Sequence, residues 1–246
     1  MKTYCISDIH GHYDNLMDFM KTLKDDDKVY VLGDVIDKGE DSIKCLLYIM
    51  EDKRFEMLLG NHEYMMYQFL SDREGYKDYP SAYEAWVEWN EGYATLDDYD
   101  SLPSDKRKEV YEYIKNLPLN KPNVEVNGRT FYLVHSCPKD DIELKMEDCD
   151  YNDNYIYTYV WQRCSPADDF NMKDKIIIGG HTFVQYFLEN PFSEVKAAFG
   201  YDGKIETNKE LIDKAQYIDI DGGLATRSKT ARLIALCLDD LTYELY

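Results

Sequence analysis

Four of the five histidines sit in short segments, three of them bearing Asp, Asn or Gly, each closing a strand-like run. They are Ser7-Asp8-Ile9-His10-Gly11, Gly60-Asn61-His62-Glu63, Val134-His135-Ser136 and Gly179-Gly180-His181-Thr182. A further segment, Gly33-Asp34-Val35-Ile36-Asp37-Lys38-Gly39, adds two carboxylates. Imidazole with carboxylate is the ligand set of catalytic transition-metal sites. Asp8 and His10 can turn toward one cation, although an isolated pair with this spacing is more often structural. Gly33 permits close backbone approach beside Asp34, whose carboxylate could bridge two cations. Asn61 offers an amide oxygen, and His135 and His181 offer imidazoles. Together these six positions could serve two metals sharing one carboxylate. Two-metal sites with ions roughly 3.5–4 Å apart recur in phosphoester hydrolysis, where a hydroxide between the ions attacks in line. The residues predict a metal-dependent hydrolase.

Such distant positions meet only if the fold gathers them. Thr3–Ser7, Val29–Gly33 and Phe55–Gly60 are apolar runs of strand length. Between them Leu16, Phe19, Met20 and Leu23, then Ile43, Leu46, Leu47 and Met50, repeat the i, i+3, i+4, i+7 spacing of an amphipathic helix. Alternating strand and helix implies a parallel sheet, whose strand carboxyl ends line one edge where ligands bind. That edge would bring Asp8 and His10, Asp34 and Asp37, and Asn61 and His62 together. From Glu63 to about Leu117 the pattern is helical, punctuated by Pro80, Pro103 and Pro118, and reads as an insertion over about 63–118. Val124–Val126 and Thr130–His135 flank Asn127-Gly128, a hairpin signal. Asp140 to Asn154 reads as an acidic surface loop. Lys175–Ile178, Tyr217–Asp221, Arg232–Leu238 and Thr242–Tyr246 read as strands following one another without helices, hence a second, mixed or antiparallel sheet. The expected fold class is α/β, with two packed mixed β-sheets flanked by helices in a four-layer sandwich, over one domain spanning 1–246.

A net charge of −20 opposes attraction to nucleic acid or an anionic membrane. A phosphorylated substrate stays open, because bound cations reverse the sign locally. No apolar run approaches the length of a membrane span, and no signal region precedes the first strand, so the expected location is the cytoplasm. The six cysteines, Cys5, Cys45, Cys137, Cys149, Cys164 and Cys237, have no regular spacing and are expected as reduced thiols. Cys5 and Cys137 are expected to pack rather than attack. His12 lies outside the ligand pattern, and Glu63 is expected near the site without binding metal. Trp86 and Trp89 could stack on a base, yet tryptophans at this spacing usually belong to a core.

The ordered series from Asp8 to His181 resembles the metallophosphoesterase superfamily. Within it the Gly33–Gly39 and Gly60–Glu63 segments resemble the phosphoprotein phosphatase family. The bacterial and phage branch is most similar, with its lambda-type phosphatases and symmetrical diadenosine tetraphosphatases. The tail Ile218-Asp219-Ile220-Asp221-Gly222-Gly223 also looks like that branch. The resemblance implies that Asp8, His10 and Asp34 bind one metal, and that Asp34, Asn61, His135 and His181 bind another. It implies His62 as general acid, oriented by Asp37, with Lys38 and Arg163 gripping phosphate. Lys38 stands where arginine is common, which keeps the charge and loses the bidentate fork. Two divalent ions, Mn²⁺ first and Fe or Zn permitted by the ligands, are the implied cofactors. The implied activity is that of a serine/threonine protein phosphatase. The alternatives are a hydrolase of dinucleoside polyphosphates or another small phosphorylated metabolite, and a non-catalytic metal-binding module. Oligomeric state is not legible here.

Overall fold

Apolar residues alternate along the early strands, and both alternating faces are covered. The computed structural model describes residues 1–73, 82–149, 155–164, 168, 170–188 and 216–246. The first elements are β1 (Thr3–Ile6), α1 (Tyr13–Met20), β2 (Lys28–Val31), α2 (Ser42–Glu51), β3 (Phe55–Met57) and α3 (Asn61–Arg73). β1 pairs parallel with β2, and β2 parallel with β3. The strands stop one to three residues short of their expected ends. Asp8 and Asp34 adopt φ of 52° and 54°, a left-handed conformation that cannot continue a strand.

After α3 a π-helical turn (Glu84–Glu88), α4 (Tyr93–Ser101) and α5 (Ser104–Lys115) complete the helical segment. Phe69 of α3 meets Trp86 with ring centroids 5.4 Å apart, and Tyr67 stacks on Tyr111 of α5 at 5.6 Å. Trp86 is core, as expected. Trp89 is not, being 71% exposed, because the Trp89 N–H bonds Glu84 O five residues back and turns its indole away. Pro80 and residues 150–154 of the acidic loop lie outside the described residues.

A hairpin of β4 (Asn120–Val126) and β5 (Arg129–Val134) opens the second sheet, with Asn127 and Gly128 both left-handed at its turn. A 3₁₀ turn (Met146–Asp148) and α6 (Tyr155–Val160) lead to β6 (Ile176–Gly179), and α7 (Val184–Leu188) follows. β7 (Tyr217–Asp219), β8 (Ile234–Cys237) and β9 (Tyr243–Leu245) close the series. The sheets run β3-β2-β1-β8-β9 and β4-β5-β6-β7. Two expectations for the last third fail. A helix, α7, separates β6 from β7. β8 and β9 join the first sheet, β8 antiparallel beside β1 with Tyr4 opposite Cys237, rather than the second. β8 is apolar on both faces and satisfies the free edge of β1, which a surface strand could not do.

Cys5, Tyr30, Leu32 and Leu236 of the first sheet pack against Phe131, Leu133, Ile178 and Ile218 of the second. Their neighbours Ile6, Val29, Val31, Tyr132, Val134 and Ile177 face the helical layers. That period of two yields the mixed, two-sheet sandwich with outer helices. Among the described residues no helix is long and apolar enough to cross a membrane. The expectation of reduced thiols fails at one pair: Cys137 and Cys164 are disulfide-bonded, with Cα atoms 5.6 Å apart. The physical cause is adjacency. The Ser136 N–H bonds Tyr159 O and the Cys137 N–H bonds Thr158 O, so two chain segments run side by side into the bridge.

Candidate metal centre and active site

The loops after β1, β2, β3, β5 and β6 carry all four histidine segments and the Gly33–Gly39 segment. Backbone bonds lace them together: Asp8 N–H to Gly33 O (3.1 Å), His10 N–H to Asp34 O (3.0 Å), and Gly180 N–H to His135 O (2.8 Å). The Asp8 Oδ2 atom accepts the His181 N–H at 3.0 Å, which ties the two sheets at this edge. A Cβ at Gly60 would strike the Asp34 carboxylate, and one at Gly180 the Asp8 carboxylate. Asp8, His10, Asp34, Asp37, Lys38 and His181 all have left-handed φ, from 46° to 70°. Each such residue costs on the order of 1–3 kcal/mol, and such strain collects at functional sites.

Each candidate histidine ligand is oriented by a backbone carbonyl. His10 Nδ1 donates to Ile36 O (3.0 Å), His135 Nδ1 to Leu32 O (2.7 Å) and His181 Nε2 to Trp161 O (3.1 Å). A carbonyl only accepts, so the other ring nitrogen of each carries a lone pair. Those lone pairs face oxygens. His10 Nε2 lies 3.9 Å from Asp8 Oδ1 and 3.7 Å from Asp34 Oδ2, and His135 Nε2 lies 3.5 Å from the same Asp34 oxygen. His135 Nε2 and His181 Nδ1 also sit 3.0 and 2.9 Å from Asn61 Oδ1. Burial pushes His10 and His135 far below the usual imidazole range, and His181 down to about 4, so protonation does not relieve these contacts. Burial also pushes Asp8 and Asp34 well above the usual carboxylate range, helped by Asp221 at Asp8 and by Glu63 at Asp34. Carboxylate and amide oxygens of Asp8, Asp34 and Asn61 converge here on imidazole lone pairs. The donor set fits divalent cations.

Two groups have ligand atoms within 4.8 Å of one another: His10, Asp34 and His62, and Asp34, His135 and His181. Asp34 belongs to both, as a bridging carboxylate would. The first group holds His62 where the sequence reading has Asp8. The His62 Nδ1 atom donates to Asp37 Oδ2 at 2.6 Å, and its ring stands edge-on to His10 with centroids 4.8 Å apart. Only Nε2 of His62 is left to face the centre. Burial, then Lys38, pushes His62 down to about 3.

Lys38 and Arg163 lie on different loops around this centre. Arg163 donates to Thr182 Oγ1 at 3.0 Å, next to His181. The Cys137–Cys164 bridge tethers its segment to the one bearing His135. Lys38 turns to Glu91, at 3.3 Å.

Trp86 and Thr95 escape the sequence reading as residues of the site, whereas Glu63 lies beside it as expected. Trp86 Nε1 donates to Asp37 Oδ2 at 2.8 Å, and Thr95 Oγ1 donates to Asp37 Oδ1 at 2.6 Å. With His62 they occupy both oxygens of a buried carboxylate, whose pKa burial pushes up to about 7 against the pull of Thr95 and Trp86. The helical insertion therefore fixes the Asp37–His62 pair. Glu63 is fully buried and accepts the N–H groups of Asp34 (2.9 Å), Val35 (2.8 Å) and Ile36 (3.3 Å), shaping the Asp34 loop. Asp219 and Asp221 are buried close enough to Asp8 to raise its pKa or share its field. Thr95 carries no signal in sequence. Trp86 carries a misleading one, because a core indole has a single N–H that only tertiary structure can direct.

The profile of the family described as calcineurin-like phosphoesterases matches residues 1–202. The chain belongs to that family. That family uses divalent metal ions. A symmetrical bis(5'-nucleosyl)-tetraphosphatase of Actinobacillus succinogenes is 36% identical over 67 residues, covering 26% of this chain and 24% of the relative. The counterpart from a Buchnera aphidicola strain is 37% identical over the same length and shares. The chain spans about a quarter of the length of the curated relatives it matches. A serine/threonine phosphatase from Saccharomyces cerevisiae superposes with a TM-score of 0.56 at 11% identity, over 100% of this chain and 79% of that one. A cold-active protein-tyrosine phosphatase from a Shewanella species gives 0.52 at 15%, over 99% and 80%. These are likenesses of fold.

Proposed function

We propose that this phosphoesterase removes phosphate from phosphoserine and phosphothreonine in proteins, using two divalent ions, with Mn²⁺ the preferred one. The observation that carries the chemistry is Asp34 Oδ2, set between the imidazoles of His10 and His135 and shared by two groups of potential ligands. In this reading Asp8, His10 and Asp34 hold one ion, and Asp34, Asn61, His135 and His181 hold the other. The pair of ions would neutralise phosphate charge and lower the pKa of the attacking water. Lys38 and Arg163 bind the phosphate oxygens from opposite loops. His62 protonates the leaving oxygen through Nε2, while Asp37 fixes the ring through Nδ1. The burial of Trp86 against Asp37 supports a protein substrate, since it leaves that indole unable to seat a base.

One observation favours a second reading, hydrolysis of dinucleoside polyphosphates. Trp89 and Tyr93 are 71% and 52% exposed and flank Glu91, whose carboxylate reaches Lys38. The deciding experiment strips metal, restores Mn²⁺ and compares a phosphothreonine peptide with diadenosine tetraphosphate. A higher kcat/KM for the peptide supports the protein phosphatase reading. A higher value for the dinucleotide replaces it with the second. Two bound metals without turnover on any ester leave a binding module.

A further inference from the structure

Lys38, Glu91 and Arg227 come from three separate loops and meet beside Asp37. Lys38 Nζ lies 3.3 Å from Glu91 Oε1, and Arg227 Nη2 lies 2.6 Å from Glu91 Oε2. Arg227 also donates through Nε to the Lys38 carbonyl at 2.9 Å, and a second bond runs there from Nη2. An ammonium and a guanidinium thus hold one carboxylate by its two oxygens. All three residues are left-handed, with φ of 66°, 61° and 52°.

Stability does not account for this arrangement. The Glu91 and Arg227 side chains are 49% and 54% exposed, with Lys38 at 15%, and ion pairs with an exposed partner contribute little. Three left-handed residues each carry a backbone cost. The balance falls against the trio unless it serves a ligand. Lys38 adjoins Asp37, which holds His62, so the cations stand on the side where the leaving group departs. Glu91 occupies the position and makes the contacts of an oxyanion.

We propose that Arg227, with Lys38 shared between the two phosphates, forms an anion subsite for a second phosphate carried on the leaving group, with Glu91 as the internal carboxylate that this phosphate displaces. Arg227 supplies there the planar fork that Lys38 lacks. The inference rests on the hydrolase reading for the direction of the leaving group. The second phosphate can come from a neighbouring phosphorylated residue in a peptide or from the chain of a nucleoside polyphosphate.

The test measures binding to the Mn²⁺-loaded protein, using peptides with one or two phosphonomethylalanine residues and, in parallel, β,γ-methylene-ATP. Wild type, R227Q and E91Q are compared, with melting temperature and metal content verifying each fold. A charge-assisted bond of about 1.5–3 kcal/mol predicts roughly ten- to a hundredfold tighter binding of one doubly anionic probe than of the single phosphonate. R227Q should bring that ratio toward one, and E91Q should raise it several-fold. The probe that shows the Arg227-dependent preference identifies the source. Equal loss of affinity for all probes in R227Q, or an unchanged ratio, overturns the subsite. The preference without turnover on any ester would retain the subsite and sink the proposed function. Turnover with no Arg227-dependent ratio would do the reverse.

Discussion

Replacing Thr95 by valine keeps the volume and β-branching of a fully buried side chain and deletes only the hydroxyl that bonds Asp37 Oδ1 at 2.6 Å. Asp37 then keeps His62 and Trp86 on Oδ2 and loses its only side-chain donor on Oδ1 among the described residues. A hydrogen bond to a charged group contributes about 1.5–3 kcal/mol net. If the transition state needs Asp37 ionised and His62 held, that loss becomes a roughly ten- to hundredfold fall in kcat. The fall should be largest for esters whose leaving oxygen needs a proton. The assay compares p-nitrophenyl phosphate with phenyl phosphate in wild type, Thr95→Val and Thr95→Ser. Serine should restore most of the rate, because it returns the hydroxyl. The pKa of Asp37, about 7 with both donors present, should rise when one goes. The ascending limb of kcat/KM against pH should therefore move to higher pH. Equal losses on the two esters in a stably folded, metal-loaded variant would refute a role through His62.

His62→Gln should keep two metals per chain and depress turnover on poor leaving groups most; loss of one metal, read by elemental analysis, would make His62 a ligand. Asp34→Asn should lower metal content and turnover together, since Asp34 belongs to both ligand groups. Reducing the Cys137–Cys164 bridge releases a loop of sequence separation 27, which in the chain-entropy account costs about 3.5 kcal/mol. Calorimetry should show the melting temperature falling with reductant, and KM rising as the Arg163 segment loosens; an unchanged Tm would refute the tether. The metal-free protein should lose stability as pH rises from about 6.5 to 8. Folded Asp37, Glu63 and Asp221 titrate near 7, and burial also raises Asp8 and Asp34 well above unfolded carboxylates, so the folded state binds more protons in that window. Below about 6.5 the lowered His10, His62, His135 and His181 act with opposite sign and mask the effect. Thermal melts with and without Mn²⁺ test this, and a metal-free Tm that climbs through the window sinks it.

The residues that gather at the candidate metal centre were legible because their chemistry is local and their placement topological. A strand that ends in Asp-x-His or Gly-Asn-His has few conformations, and a parallel sheet puts such ends on one edge. The order of strands in the last third was not legible. The run containing Ile234–Cys237 is apolar on both faces and suits a central position in either sheet; only its pairing with Tyr4 and Cys5 decides. The disulfide was hidden for a related reason, since 27 residues separate Cys137 from Cys164 and the contact depends on how α6 returns. Thr95 is the extreme case. Nothing in Tyr93-Ala94-Thr95 marks a hydroxyl aimed at a carboxylate 58 residues earlier.

Asp8, Asp34, Asp219, Asp221 and Glu63 are all buried around one edge, and the residues that shape it are left-handed at six positions. Neither feature stabilises the chain by itself. Buried carboxylates without a cation hold their protons or unfold, and strained residues persist only when their surroundings over-determine them. Glu63 meets part of this demand by satisfying three N–H groups of the Asp34 loop, and Asp37 meets another part through Thr95 and Trp86. Asp34 Oδ2 is left facing two imidazole lone pairs, a contact that a proton on the carboxyl relieves for one ring and a bound cation relieves for both. Metal binding should thus be coupled to completion of the fold at this edge, with the helical insertion sharing in it because Trp86 and Thr95 reach the same loop.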